Sequence, residues 1–215
     1  MNKSILCVVL TAFLAASSAL AQTVRVQVWR HDNGCSPCCG GVEIDETFPG
    51  GQNRSFQLSS CAIKVVITTS SSSVNIGRLT FTGGPGAWPL EISLGSSFSQ
   101  AGLPPTPVGN NWAGLDASDI AQARFYGGVG GNLTGSIIVP ELFRFDAGGS
   151  IDSLIHADVA GNGGMFFIRA GSIPSNASIT LASGPIYQVE TTSGEWGVRS
   201  RPKTAQFSES RYRGI

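Results

Sequence analysis

The chain has 215 residues, with 14 basic and 14 acidic side chains, so its formal net charge is zero. Charged residues make up 13% of it and hydrophobic residues 41%, against a usual charged share of about a quarter. A disordered polyelectrolyte is excluded, and the neutral overall balance gives no electrostatic case for a nucleic-acid binder or a polyanion receptor.

The first element in chain order is an export segment over residues 1–21. Lys3 supplies a positive start, an apolar run follows from Ile5 to Leu14, and Ala19, Leu20 and Ala21 close it with the spacing a signal peptidase accepts. The run is shorter than the roughly 20 apolar residues a bilayer-spanning helix needs. A mature chain starting at Gln22 is expected, secreted, periplasmic or on the cell surface, with no integral membrane segment after processing.

Residues 22–72 read as an N-terminal β cap. Val24, Val26 and Val28 alternate with Arg25 and Gln27, the period-two signature of a strand with one wet face. Gly41 to Phe48 is a second segment able to pair with it, and Cys61 to Thr69 is a third strand rich in Val, Ile and Thr. The cap holds Cys35, Cys38, Cys39 and Cys61. Four cysteines in an exported chain suggest two disulfides. The neighbours Cys38 and Cys39 would take separate partners, Cys35 and Cys61, in either order. A four-thiolate zinc site fits less well, because paired C-x-x-C knuckles are missing. No metal or cofactor is expected.

From residue 73 to 189 the pattern changes to a short apolar strand, a glycine turn and a second short apolar strand. It recurs around Gly83-Gly84, Gly127 to Gly131, Gly148-Gly149 and Gly171. Aligned on their turns, the last three copies step 18 residues from Gly131 to Gly149 and 22 from Gly149 to Gly171. Strands this short at irregular spacing point to a solenoid, in which each coil is too small to bury its own apolar residues and stacks on the next. The expected fold is therefore all-β, a short right-handed parallel β-helix with a disulfide-linked N-terminal β cap; an irregular β-sandwich or jelly roll is the alternative. Asp116 to Arg124 resists the pattern and reads as a short N-capped helix or a distorted coil corner. Residues 190–215 form a basic tail, with five Arg or Lys between Arg199 and Arg213.

The run Phe-Arg-Phe-Asp-Ala-Gly-Gly-Ser-Ile from Phe143 to Ile151, with looser partners around Gly131 and Gly171, resembles the secreted bacterial parallel β-helix proteins, including pectate-lyase-like and autotransporter-passenger families. The resemblance spans about residues 73 to 186 and implies a fold type, with no active-site motif to transfer.

Two sets of residues could carry chemistry. Asp146, Asp152, His156, Asp158 and Arg169 supply the types a polysaccharide lyase or glycoside hydrolase uses, a base with a cation or a pair of carboxyls, provided that adjacent coils bring them to one wall. Trp88, Trp112 and Tyr126 could stack on sugar faces, and Arg144 with Arg169 could form a basic ladder for an acidic sugar. No phosphate loop, zinc motif or nucleophile elbow occurs. The reading leans against an enzyme, towards a noncatalytic structural, adhesive or glycan-binding solenoid whose partner is an extracellular or cell-surface polysaccharide or another surface protein. A small carbohydrate-active enzyme is the alternative.

Overall fold

A computed structural model describes residues 22–32, 40–85, 88–95, 103–157, 167–181 and 188–192. The export segment, Cys35, Cys38, Cys39, Asp158 and the tail beyond 192 lie outside the described residues.

Among the described residues, fourteen strands form two sheets. The chain runs through β1 (Thr23–Arg30), β2 (Gly41–Pro49), β3 (Arg54–Leu58), β4 (Ala62–Thr69), β5 (Leu79–Gly83), β6 (Leu90–Leu94) and β7 (Leu115–Asp116). It continues through β8 (Ala123–Val129), β9 (Ile137–Val139), β10 (Glu141–Ala147), β11 (Leu154–Ala157), β12 (Phe167–Ala170), β13 (Ser178–Leu181) and β14 (Gln188–Thr191). From β3 onward, odd strands join one sheet and even strands the other. The larger sheet has the order β14-β12-β10-β8-β6-β4-β1-β2, and the smaller β13-β11-β9-β7-β5-β3.

Every pairing from β3 and β4 to the last strands is parallel. Each coil thus contributes one strand to either sheet and hydrogen-bonds to the coil before it. A sandwich or jelly roll, built on antiparallel neighbours, is not this arrangement. The glycine turns stack as their spacing predicts: Gly149 N donates to Gly131 O at 2.9 Å, and Gly171 N to Gly149 O at 2.6 Å.

The two sheets face each other across one apolar core. Phe48, Phe56 and Phe81 stack at its N-terminal end, with centroids 6.3 and 5.3 Å apart. Trp112, Phe125 and Phe145 fill its middle, 5.5 to 6.1 Å apart. Burial of an aromatic or branched aliphatic side chain is worth about 1.5–3 kcal/mol, so the filling of the tube supplies what no coil could gain alone. A third side is closed by the bridges Ile76 to Trp112, Trp112 to Leu133 and Leu133 to Ile151. Beside it runs a ladder of amides. Asn75 Oδ1 accepts from Asn111 N at 3.2 Å, Asn111 Oδ1 from Asn132 N at 3.0 Å, and Asn132 Oδ1 from Ser150 N at 2.7 Å. Each side chain satisfies the backbone of the next coil where the path bends away from both sheets.

The expectation of a disulfide-linked cap is corrected. No disulfide joins two described residues, and residues 22–72 share both sheets and one core with the coils. β1 lies between β2 and β4 in the larger sheet, antiparallel to both, and Phe48 and Phe56 belong to the common core. The hydrogen-bond ladder and the core therefore integrate this segment with the coils. Parallel stacking already begins at Arg54, ahead of the glycine-rich region. Cys61 is disulfide-bonded, and its three candidate partners lie outside the described residues.

The segment 116–124 takes the corner form of the two expected for it. Asp116 Oδ1 accepts from Ser118 N at 3.2 Å and Ser118 Oγ at 2.8 Å. This is N-cap chemistry, but it closes a turn: Ile120 N reaches Ala117 O, and Ala123 N reaches Ile120 O, delivering the chain into β8.

Candidate functional site

Because strands alternate between opposed sheets, residues about ten apart in the sequence come to lie on opposite sides of the tube. Asp146 and Arg169 are register partners on the larger sheet. His156 lies on the smaller one, between Ile138 and Thr180, with its Nδ1 2.8 Å from Thr180 Oγ1. Asp152 is exposed in the turn joining β10 to β11, where its backbone carbonyl accepts from Asn176 Nδ2 at 3.5 Å. The sequence-derived catalytic set is therefore not brought to one wall: Asp146 and Arg169 meet, His156 stands apart with Thr180, and Asp152 sits at a corner.

Asp146 is also committed. Both of its oxygens accept from Arg144, Oδ1 from Nε at 2.8 Å and Oδ2 from Nη2 at 2.9 Å. The Arg144 guanidinium lies 4.0 Å from the centroid of the Phe167 ring on the next coil. Arg144 is 8% exposed and Asp146 9%. Arg144 thus forms no basic ladder with Arg169, whose side chain is exposed.

The expected stacking platform divides in the same way. Trp112 is 0% exposed and packs between Phe125 and Phe145 in the core. Tyr126 points outward from the larger sheet but is covered by the segment 103–107: its hydroxyl donates to Leu103 O at 2.8 Å. Trp88 is open, 49% exposed, just before β6. Its ring stacks on His31 with centroids 4.9 Å apart and planes 9° from parallel, a contact worth about 0.5–1.5 kcal/mol. His31 is held in turn by its backbone N–H, which donates to Cys61 O at 2.8 Å. The result is an indole with one face supported.

Two residues before His31, Trp29 is 39% exposed on the outer face of β1. It is flanked in register by Val42, itself 44% exposed, and by Lys64. Sequence reasoning did not single out Trp29. The signal was present in the alternation itself, which buries Val24, Val26 and Val28 and so sends Trp29 outward.

Several other acidic groups are engaged in ion pairs. Arg25 pairs with Asp45 at 2.5 Å and Arg78 with Asp116 at 2.8 Å. Burial pushes the Asp116 carboxyl up, but hydrogen bonds from Ser118 and the Arg78 guanidinium outweigh it and hold it below the usual aspartate range. Among the described residues no group of His, Cys, Asp and Glu could hold a metal ion, and no helix is long and apolar enough to cross a membrane. Comparison with protein-family models, curated proteins and solved structures finds no match.

Proposed function

We propose that this chain is an exported, noncatalytic binding solenoid that holds glycan against the aromatic shelf of Trp88 and Trp29. The observation that carries this reading is the Trp88–His31 stack: a large apolar ring is kept in solvent against a second ring, on a residue whose backbone N–H is bonded to Cys61 O. Sugar rings present flat apolar C–H faces that pack on such a surface. Pre-ordering the indole lowers the entropy lost on binding. The commitment of Asp146 to Arg144, and the placement of His156 on the opposite sheet, support binding over catalysis.

The test is titration of the mature protein with a panel of neutral and acidic oligosaccharides, read by tryptophan fluorescence and by assays for reducing ends and unsaturated products. Saturable quenching without product is expected, lost in Trp88→Ala. Product formation would replace this reading with a small lyase or hydrolase, and a panel without any binding would overturn it.

A further inference from the structure

One outward row of the larger sheet continues from the shelf. In register across successive strands it comprises Val42, Trp29, Lys64, Glu91, Arg124 and Glu141. The residues beside them, Val28, Val65, Ile92, Phe125 and Leu142, are buried, which turns the row to the outside. Its first two members are apolar and open, and the next four alternate in sign. The 103–107 segment lies over the rows beside it, where Tyr126 OH meets Leu103 O and a Cβ on Gly128 would stand 3.1 Å from Pro105 Cγ. The row is most open at its apolar end; its charged members are part-buried, the Arg124 and Glu141 side chains being 32% and 16% exposed.

Resting on the glycan-binding reading, we propose that this row is a track for an extended acidic polysaccharide that alternates uronic acid with N-acylated hexosamine. Adjacent strands are about 4.8 Å apart, so Lys64 and Arg124, two strands apart, offer positive charge at intervals of about 9.6 Å, close to the length of an extended β-linked disaccharide. A carboxylate on every second sugar meets each cation in turn. The sugar between them places hydroxyl and amide N–H donors over Glu91, which accepts charge-assisted hydrogen bonds. Arg124 is steadied for this task by Glu141, 2.8 Å from its Nε, and by the Phe143 ring 5.8 Å from the guanidinium. The same Glu91 repels a polymer with a carboxylate on every residue, so selectivity arises from a repulsive element as well as an attractive one.

The experiment compares hyaluronan, polygalacturonate and chitin oligosaccharides of matched length, titrated against the full mature chain and the variants Lys64→Gln and Glu91→Gln. Hyaluronan oligosaccharides are expected to bind about tenfold more tightly than the other two, and Lys64→Gln to remove about that factor while leaving chitin binding unchanged. Glu91→Gln is expected to strengthen polygalacturonate binding. Equal affinity for hyaluronan and chitin, with neither variant changing it, overturns the track and leaves the aromatic shelf standing. Failure of all three to bind overturns both.

Discussion

Arg144 and Asp146 lie two residues apart on β10 and share a bidentate pair at 2.8 and 2.9 Å, almost wholly out of water and beside Phe167. The pair points away from the core yet is buried. Such an arrangement holds only while both charges are present. Arg144→Ala leaves a buried carboxylate without its partner and is expected to cost about 3 kcal/mol. The double variant Arg144→Leu with Asp146→Ala is expected to recover most of that loss. Urea unfolding of the two variants measures both effects, and additive losses would show the pair to be unimportant.

Trp112 gives a second test of what is core and what is surface. Its ring is fully enclosed and its Nε1 has no acceptor among the described residues. Trp112→Ala is expected to cost about 3–5 kcal/mol. Trp112→Phe removes the orphaned donor along with some volume and is expected to cost less than about 1.5 kcal/mol. Thermal or denaturant unfolding ranks the two.

The sequence and the structure agree where a rule acts locally. The turns at Gly131, Gly149 and Gly171 lie on the stacking path because the chain must bend there in every coil, and composition marks each bend. Strand β1 follows from alternation, β2 from a segment able to pair with it, and β4 from its Val, Ile and Thr content. What could not be read depends on which coil lies next to which. β7 is two residues long, too short for any period to show. His156 and Asp146 are ten residues apart, but one crossing of the tube separates them, and proximity in sequence gives no hint of it. Trp112 and Tyr126 read as exposed rings because the residues that cover them, Phe145 and Leu103, come from other coils or from an insertion. Trp29 went unremarked because a single tryptophan at a strand end has no pattern until its neighbours Val42 and Lys64 are placed beside it.

Asp116 links stability to pH. Its native carboxyl is held below the usual aspartate range, the bonds from Ser118 and Arg78 overcoming the opposing effect of burial. A lowered native pKa means that folding favours the ionised form. Its contribution is therefore full above the unfolded aspartate range and is lost as pH falls through the native value. The stability gap between wild type and Asp116→Asn is expected to be largest at neutral pH, on the order of 1 kcal/mol, and to close on acidification. A gap that does not change with pH would contradict this assignment.

Gly114 has φ of +108°, and a Cβ there would stand 2.1 Å from Ser136 O on the next coil. Both the backbone conformation and the close approach demand glycine. Gly114→Ala is expected to destabilise by about 3 kcal/mol. Gly51, with φ of +77° but nothing within 4 Å of a Cβ, provides the comparison: Gly51→Ala is expected to cost only the conformational strain, about 1 kcal/mol. Paired unfolding curves separate strain from collision.

The most direct measurement of the binding proposal is calorimetric titration of oligosaccharide into wild type, Trp88→Ala and His31→Ala, with circular dichroism and melting temperature recorded for each. Stacking on a pre-ordered indole predicts that Trp88→Ala abolishes the heat of binding and His31→Ala weakens it several-fold, while both variants keep the β spectrum and melt close to wild type. Unchanged affinity in folded Trp88→Ala would contradict it.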